Sequence, residues 1–244
     1  MKTTPESSQQ QQPAEIQKMF NAIAPTYDAL NHLLSFGLDI RWRRKAIRLL
    51  QEKRGGVFLD IASGSGDVSF DLLDLDPKLI VGSDFAMDML HAFRQKIAKA
   101  KQSVPIKLVS CDALSLPFKN GTFDGTIAAF GIRNFADRLR SLHEMRRVLK
   151  PNGVSIILEL TSPRTPIVSQ LYRLYSNVGL PLIGKIISKH NSAYSYLPKS
   201  IAAFPEQEGF LSLMSTAGFS EAFGFPLTFG IATIFVGKNS SLTL

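Results

Sequence analysis

Asp60-Ile61-Ala62-Ser63-Gly64-Ser65-Gly66-Asp67 places two glycines between an apolar run and an acid, the makings of a backbone turn that meets a ligand closely. Gly64 and Gly66 carry no Cβ and reach positive φ without strain. A helix starting at Asp67 turns its unpaired amide groups toward the same place. Phosphate-binding turns of this kind read G-x-G-x-x-G and close on glycine; here the closing position is Ser69 and an acid opens the helix. That acid suits a cation better than a pyrophosphate. Asp84 follows Gly66 by 18 residues, near the spacing at which dinucleotide-binding folds set an acid against ribose hydroxyls. Capping the helix after it is compatible with that use. Asp112-Ala113 ends a third apolar run, where an adenine amino group would lie. Together these points outline an adenosine site, with Asp60, Gly64, Gly66, Asp84, Asp112 and Ala113 as its candidate contacts. A nicotinamide enzyme shares two of the features, so they do not choose the chemistry alone.

These residues need a scaffold that brings strand ends together. Val57–Ile61 is a short apolar run entering the turn, as a buried parallel strand does. Strands at Leu79–Ser83, Ile106–Ser110, Gly125–Phe130 and Val154–Leu160 alternate with helices at Asp67–Leu75, Ala86–Lys101 and Asp137–Leu149. Lys150-Pro151-Asn152-Gly153 is a strong stop for the last of these. The alternation predicts an α/β fold, a parallel sheet with helices on both faces. After a helix near Gln207–Ala217, the runs Phe219–Pro226 and Phe229–Val236 are separated only by Leu227 and Thr228, which predicts an antiparallel pair. One domain spans 13–244. Residues 13–54 form its N-terminal helical cover, with Asp39 capping a helix that Gly55-Gly56 ends. Residues 163–205, rich in Tyr, Ser, Pro and Leu, read as a mostly helical insertion, and 1–12 as a disordered Ser/Gln tail.

Composition narrows the classes further. Lys and Arg total 28 against 20 acids, a net charge of +8, which suits an acidic partner or none in particular. Much of the excess lies at Arg41, Arg43, Arg44, Lys45 and Arg48, continuing to Lys53 and Arg54. This is either a solvated helix face or a membrane-surface contact; no zinc-finger, KH or RNP signature accompanies it, so no nucleic-acid partner is expected. Cys111 is the one cysteine and excludes an internal disulfide, and the four histidines are scattered, so no metal is expected and a reducing cytoplasm fits best. No stretch reaches the ~18 apolar residues of a membrane span.

The motif set resembles a known family. Phe58–Asp67 with Asp84, Asp112-Ala113 and Leu116-Pro117-Phe118 is similar to the class I methyltransferases. Phe20-Asn21-Ala22-Ile23-Ala24-Pro25-Thr26-Tyr27-Asp28, Phe130-Gly131-Ile132-Arg133-Asn134, Arg147-Val148-Leu149-Lys150-Pro151, Tyr194-Ser195-Tyr196-Leu197-Pro198 and Leu227-Thr228-Phe229-Gly230-Ile231 resemble, more narrowly, the menaquinone/ubiquinone biosynthesis C-methyltransferases. The likeness runs from about Ile16 to Gly237. The resemblance implies cofactor contacts at Ser65, Asp84, Asp112 and Ala113; Ser65 stands where that family usually has threonine and keeps the hydroxyl, and Ala129 stands where some members have serine.

The resemblance implies a Rossmann-like class I fold, a seven-stranded, mostly parallel sheet with helices on both faces and an antiparallel terminal strand. It implies S-adenosyl-L-methionine as cofactor and a polyprenylated quinol as partner. The substrate so implied is demethylmenaquinol, methylated on carbon, because the Tyr-Leu-Pro-Lys-Ser-Ile and Pro-Leu-Thr-Phe-Gly-Ile segments resemble members that act on menaquinone alone. 2-Methoxy-6-polyprenyl-1,4-benzoquinol is the alternative. The roles it assigns fall on Arg133 and Asn134, which would stabilise the ring oxyanion or orient a relaying water, and on Tyr27, Asp28 and Asn31, which would close the site. For Arg133 the competing reading is a salt bridge to Asp137, and for Tyr27 and Asp28 it is helix packing and capping. His143 reads as structural. The segment from Leu180 to Lys189 would meet lipid at the inner face of the membrane as a peripheral element, or act as a lid, or form a homodimer contact.

Overall fold

Alternating apolar runs fold as the register demands. The computed structural model describes residues 13–23, 28, 32, 35–100, 103–163, 165–166, 170 and 191–240; the predicted tail, Tyr27, Asn31 and the Leu180–Lys189 segment lie outside them. Strands β1 (Val57–Ile61), β2 (Leu79–Asp84), β3 (Ile106–Ser110), β4 (Phe123–Ala129), β5 (Leu149–Leu160), β6 (Glu221–Leu227) and β7 (Ala232–Asn239) form one sheet in the order β3-β2-β1-β4-β5-β7-β6. The first five are parallel neighbours, and β7 runs antiparallel between β5 and β6. The predicted fold is therefore the observed one.

The two faces of the sheet carry separate cores, as period-2 geometry requires. Leu59, Ile157 and Phe235 point to one face, against helices α5 (Arg138–Arg147) and α7 (Gln207–Thr216). Phe58, Ile156, Ile234 and Val236 point to the other, against α2 (Leu38–Arg48) and the short α3 (Asp67–Asp71) with its 3-10 extension Leu72–Leu75. Helix α4 (Met87–Lys99) buries Met89, Leu90 and Phe93 and packs against α1 (Pro13–Ile23) through Ile23 and Phe20. Helix α6 (Asn191–Ala202) is the described part of the predicted insertion.

Several boundaries differ from expectation, each for a local reason. Helix α2 is preceded by Gly37 at φ 72°, and Asp39 is not its cap; the Asp39 carboxylate instead takes Arg43 at 2.5 Å and Ser35 at 2.5 Å. Helix α5 ends at Arg147, before the expected stop, because Leu149 already pairs with Phe123. Lys150–Gly153 then stand opposite Asp124 alone, with Asn152 at φ 62°, before pairing resumes at Gly125 and Val154. The β6–β7 turn also takes four residues, not two: Leu227 pairs with Ala232, and Thr228 to Gly230 make a 3-10 turn. Trp42 Nε1 donates to Thr228 Oγ1 at 2.9 Å, tying α2 to that turn.

Candidate functional site

Strand order reverses between β1 and β4, since β2 and β3 lie to one side and β5 to the other. In open α/β sheets the carboxyl edge at such a switch point opens a crevice. Here the crevice is a pocket with about 930 Å³ of empty space, open on one side. Ile61, Ala62 and Gly64 line it from the end of β1, Ser83 to Ala86 from β2, Cys111 to Leu114 from β3, and Ala129 to Gly131 with Asn134 to Ala136 from β4. Ile16, Gln17 and Phe20 of α1 close it from above, and Gln17 Nε2 is fixed by donating to the Phe85 carbonyl at 2.8 Å.

The backbone at this edge is bent where side chains normally forbid it. Ala62 and Phe130 hold φ 54° and 58° on the loops leaving β1 and β4, a conformation that costs a non-glycine residue of order 1 kcal/mol or more. A Cβ on Gly131 would sit 2.7 Å from the Ala62 Cβ, so the two loops touch only because residue 131 has none.

Asp84 organises the turn. Its Oδ2 accepts the Gly64 N–H at 2.8 Å and its Oδ1 accepts that of Ala86 at 2.8 Å. Burial raises its pKa, and the backbone N–H groups of Ala86, Gly64 and Phe85 offset part of that rise. Each carboxylate oxygen keeps a second lone pair for a ligand, so helix-entry and ligand roles coexist. Asp112 is exposed at the rim, its Oδ1 accepting the Leu114 N–H at 2.9 Å. Arg147 holds the loop that carries this rim, donating to the Leu116 and Phe118 carbonyls at 2.9 and 2.7 Å.

Gly64, Asp84, Asp112, Ala113 and Asn134 thus share the pocket lining; Asp60, Ser65, Gly66, Asp28 and Arg133 stand behind it. Gly66 is required by packing: a Cβ there would lie 2.2 Å from the Phe93 ring, at φ 95°. Ser65 Oγ donates to Asp28, and Lys96 Nζ binds Asp28 at 2.6 Å and Asp67 at 2.7 Å. Asp67 also meets Arg43 and His32, each at 3.4 Å. The cation beside Asp67 is therefore the protein's own, which corrects the expectation that this acid awaits a ligand's charge. Beneath the turn Asp60 is fully enclosed. Ser69 Oγ donates to its Oδ2 at 2.6 Å while Oδ1 finds no partner among the described residues. Burial pushes its pKa up to about 7, with the Ser69 bonds pulling the other way and the neighbouring Asp84 charge adding to the rise.

On the far side, Ile132–Asn134 form a 3-10 turn after β4. The Arg133 guanidinium pairs with Glu159 at 2.8 Å rather than with Asp137, which caps α5 by accepting the Arg140 N–H at 2.9 Å. Tyr196 Oη donates to Asn134 Oδ1 at 2.8 Å, and Arg133 Nε donates to Ser200 Oγ at 3.3 Å. His143 is exposed on α5, away from the pocket. Glu159, Lys96 and Phe93 were not singled out from the sequence, and Tyr196 only as part of the Tyr194–Pro198 block, without a role of its own. A signal for Glu159 exists: it is a lone acid in the apolar run Ile156–Leu160, and a buried charge demands a partner. For Lys96 and Phe93, on a helix of ordinary amphipathic pattern, there is none.

A family model for the ubiE/COQ5 methyltransferases matches residues 6–239. Demethylmenaquinone methyltransferase of Bacteroides fragilis is 43% identical over 241 residues, covering 98% of each chain. The enzyme of the same name from Thermus thermophilus is 46% identical over 222 residues, 91% of this chain and all of its own. A ubiquinone/menaquinone biosynthesis C-methyltransferase of Geobacter sulfurreducens is 44% identical over 228 residues, 92% of this chain and 88% of its own. Among solved structures, an S-adenosylmethionine-dependent methyltransferase of Thermotoga maritima superposes with TM-score 0.63 at 17% identity, covering 92% of this chain and all of its own. Phosphoethanolamine N-methyltransferase 2 of Haemonchus contortus, solved with S-adenosyl-L-methionine, gives 0.59 at 14% identity, covering 81% of this chain and 52% of its own. These two share the fold.

Proposed function

Because the chain belongs to the ubiE/COQ5 methyltransferase family, we propose that it methylates a ring carbon of demethylmenaquinol, with S-adenosylmethionine as donor, to give menaquinol. The observation that carries this reading is one continuous pocket that runs from the carboxylates Asp84 and Asp112 to the carboxamide of Asn134. A second reading, the same reaction on a methoxy-polyprenyl-benzoquinol, is favoured by relatives named for both ubiquinone and menaquinone synthesis.

The residues present fit the donor. Asp84 and Asp112 offer acceptor lone pairs for ribose hydroxyls and an adenine amino group, and Phe20, Phe85, Met89 and Leu114 offer apolar walls for a flat ring. Asp60 lies enclosed beneath the turn and does not line the pocket, so it would support the turn that holds the donor without touching it. When bound, S-adenosylmethionine supplies an electrophilic methyl group.

The chain must make a carbon nucleophilic. A ring carbon attacks well only after the adjacent hydroxyl loses its proton, and a free phenol holds that proton to pKa ~10. Stabilising the oxyanion with fixed donors lowers this barrier. Asn134, half-buried in the pocket wall, is placed to donate there. Arg133, just behind it, adds positive potential that Glu159 partly neutralises. Helix α1 lines the pocket with Ile16, Gln17 and Phe20, which would help to keep water from the bound ligands.

The polyprenyl tail brings the substrate to lipid. Helix α2 exposes Arg41, Arg44, Lys45 and Arg48 on its outer face, cations that suit the anionic cytoplasmic leaflet. No helix of the described residues is long and apolar enough to cross a membrane, so peripheral contact is the mode proposed.

Purified protein given methyl-labelled S-adenosylmethionine and a demethylnaphthoquinol tests the reading, with label expected on the quinol ring. Cofactor binding without transfer would identify a binding protein instead, and transfer to RNA but not quinol would identify an RNA methyltransferase.

A further inference from the structure

Tyr196 and Ser200 stand four residues apart on α6 and therefore on one helix face. That face meets the turn carrying Arg133 and Asn134 at two points. Tyr196 Oη donates to Asn134 Oδ1 at 2.8 Å, and Ser200 Oγ accepts from Arg133 Nε at 3.3 Å. Ser200 is held in that role by donating its own proton to the Leu197 carbonyl at 2.9 Å. The turn is braced from beneath as well: Glu159 takes the Arg133 backbone N–H at 3.1 Å, and Arg138 donates to the Arg133 carbonyl at 2.9 Å.

The two ends of a carboxamide differ, and the contact with Tyr196 distinguishes them. A phenol can donate or accept, but here Tyr196 Oη donates to the Asn134 oxygen at 2.8 Å, and that arrangement leaves the NH₂ end for the pocket. Without that bond the amide can flip by half a turn, presenting an acceptor where a developing oxyanion needs a donor. We propose that Tyr196 is a positioning residue, which with Ser200 makes α6 a clamp on the Arg133-Asn134 pair and turns the Asn134 NH₂ group toward the substrate oxygen. The role of the clamp in turnover rests on the methyl-transfer reading above; the clamp itself does not.

Two measurements separate these levels. The first is the side-chain ¹⁵N–¹H₂ signal of Asn134, identified by its loss in Asn134→Ala. Under the proposal it moves and broadens in Tyr196→Phe, whatever the enzyme turns over; an unmoved signal overturns the clamp. The second is turnover of the demethylnaphthoquinol. Tyr196→Phe is expected to lower kcat by roughly ten- to a hundredfold, with KM and S-adenosylmethionine affinity within about twofold. Asn134→Asp, which keeps shape but cannot donate when ionised, is expected to lose as much or more. Tyr196→Phe added to Asn134→Ala should cost nothing further, because both remove the same interaction. Additive losses, or parallel loss of cofactor affinity, would show that Tyr196 only stabilises the fold. Should Tyr196→Phe prove poorly folded, Ser200→Ala and Ser200→Thr serve: loss of kcat in the first and recovery in the second are expected, and equal behaviour of the two would overturn the clamp. A wild-type enzyme without transfer removes the substrate reading, while the amide signal still decides the clamp.

Discussion

Glu159, with 0% exposure, accepts two hydrogen bonds from Arg133, one from the guanidinium at 2.8 Å and one from the backbone N–H at 3.1 Å. A buried charge survives only with a partner, and removing one member of such a pair costs about 3–5 kcal/mol. Glu159→Ala is therefore expected to lower unfolding stability by that amount, measured by urea titration. A change below about 1 kcal/mol would show that the pair does not brace the turn.

The same pairing sharpens how Arg133 should be probed. Arg133→Ala strands Glu159 and confuses folding with chemistry, whereas Arg133→Lys keeps a cation beside it. Arg133→Lys is expected to slow turnover while leaving S-adenosylmethionine affinity nearly intact. Asp84→Ala removes the acceptor of the Gly64 and Ala86 N–H groups and is expected to weaken cofactor binding at least tenfold, about 1.4 kcal/mol. Calorimetric titration of both variants checks the division; equal losses of affinity sink it.

Asp60 makes stability depend on pH. Its folded pKa is raised from 3.8 to about 7, chiefly by burial. Between those values the native state binds more protons than the unfolded chain, so stability falls as pH rises through that window. The full effect approaches roughly 4 kcal/mol. Asp60→Asn should flatten the decline and be more stable than wild type at pH 8. Identical slopes from pH 4 to 8 in the two proteins would refute this.

Gly66→Ala forces a Cβ to within 2.2 Å of Phe93 and into a left-handed conformation at φ 95°. The expected result is a loss of at least about 2 kcal/mol in stability, with weaker cofactor binding as the turn shifts. Thermal unfolding near the wild-type temperature would contradict it.

Replacing Arg41, Arg44, Lys45 and Arg48 with Gln should release the protein from anionic vesicles, each cation contributing about 1 kcal/mol near the surface. Sedimentation with phosphatidylglycerol vesicles measures it. Unchanged binding would leave α2 as a solvated face only.

By itself the sequence determined the sheet and which residues stand at the ends of its strands. The apolar run Val154–Leu160, the glycine turn at Gly64 and the acids at the ends of the second and third strands are local properties of neighbouring residues, and they were legible as such. Tertiary structure alone decided which of these face the pocket. It turned Ser65, Asp67 and Gly66 toward Lys96, Arg43 and Phe93, residues 27 to 31 positions away for Phe93 and Lys96 and 24 for Arg43 and Asp67. It gave Arg133 to Glu159 instead of the nearby Asp137, and Asn134 to Tyr196, 62 residues on. A side chain's partner depends on which elements pack together, and the twist and order of the sheet fix that, not the spacing along the chain. The glycine turn is written in eight consecutive residues; what it faces is set by the helices that close around it.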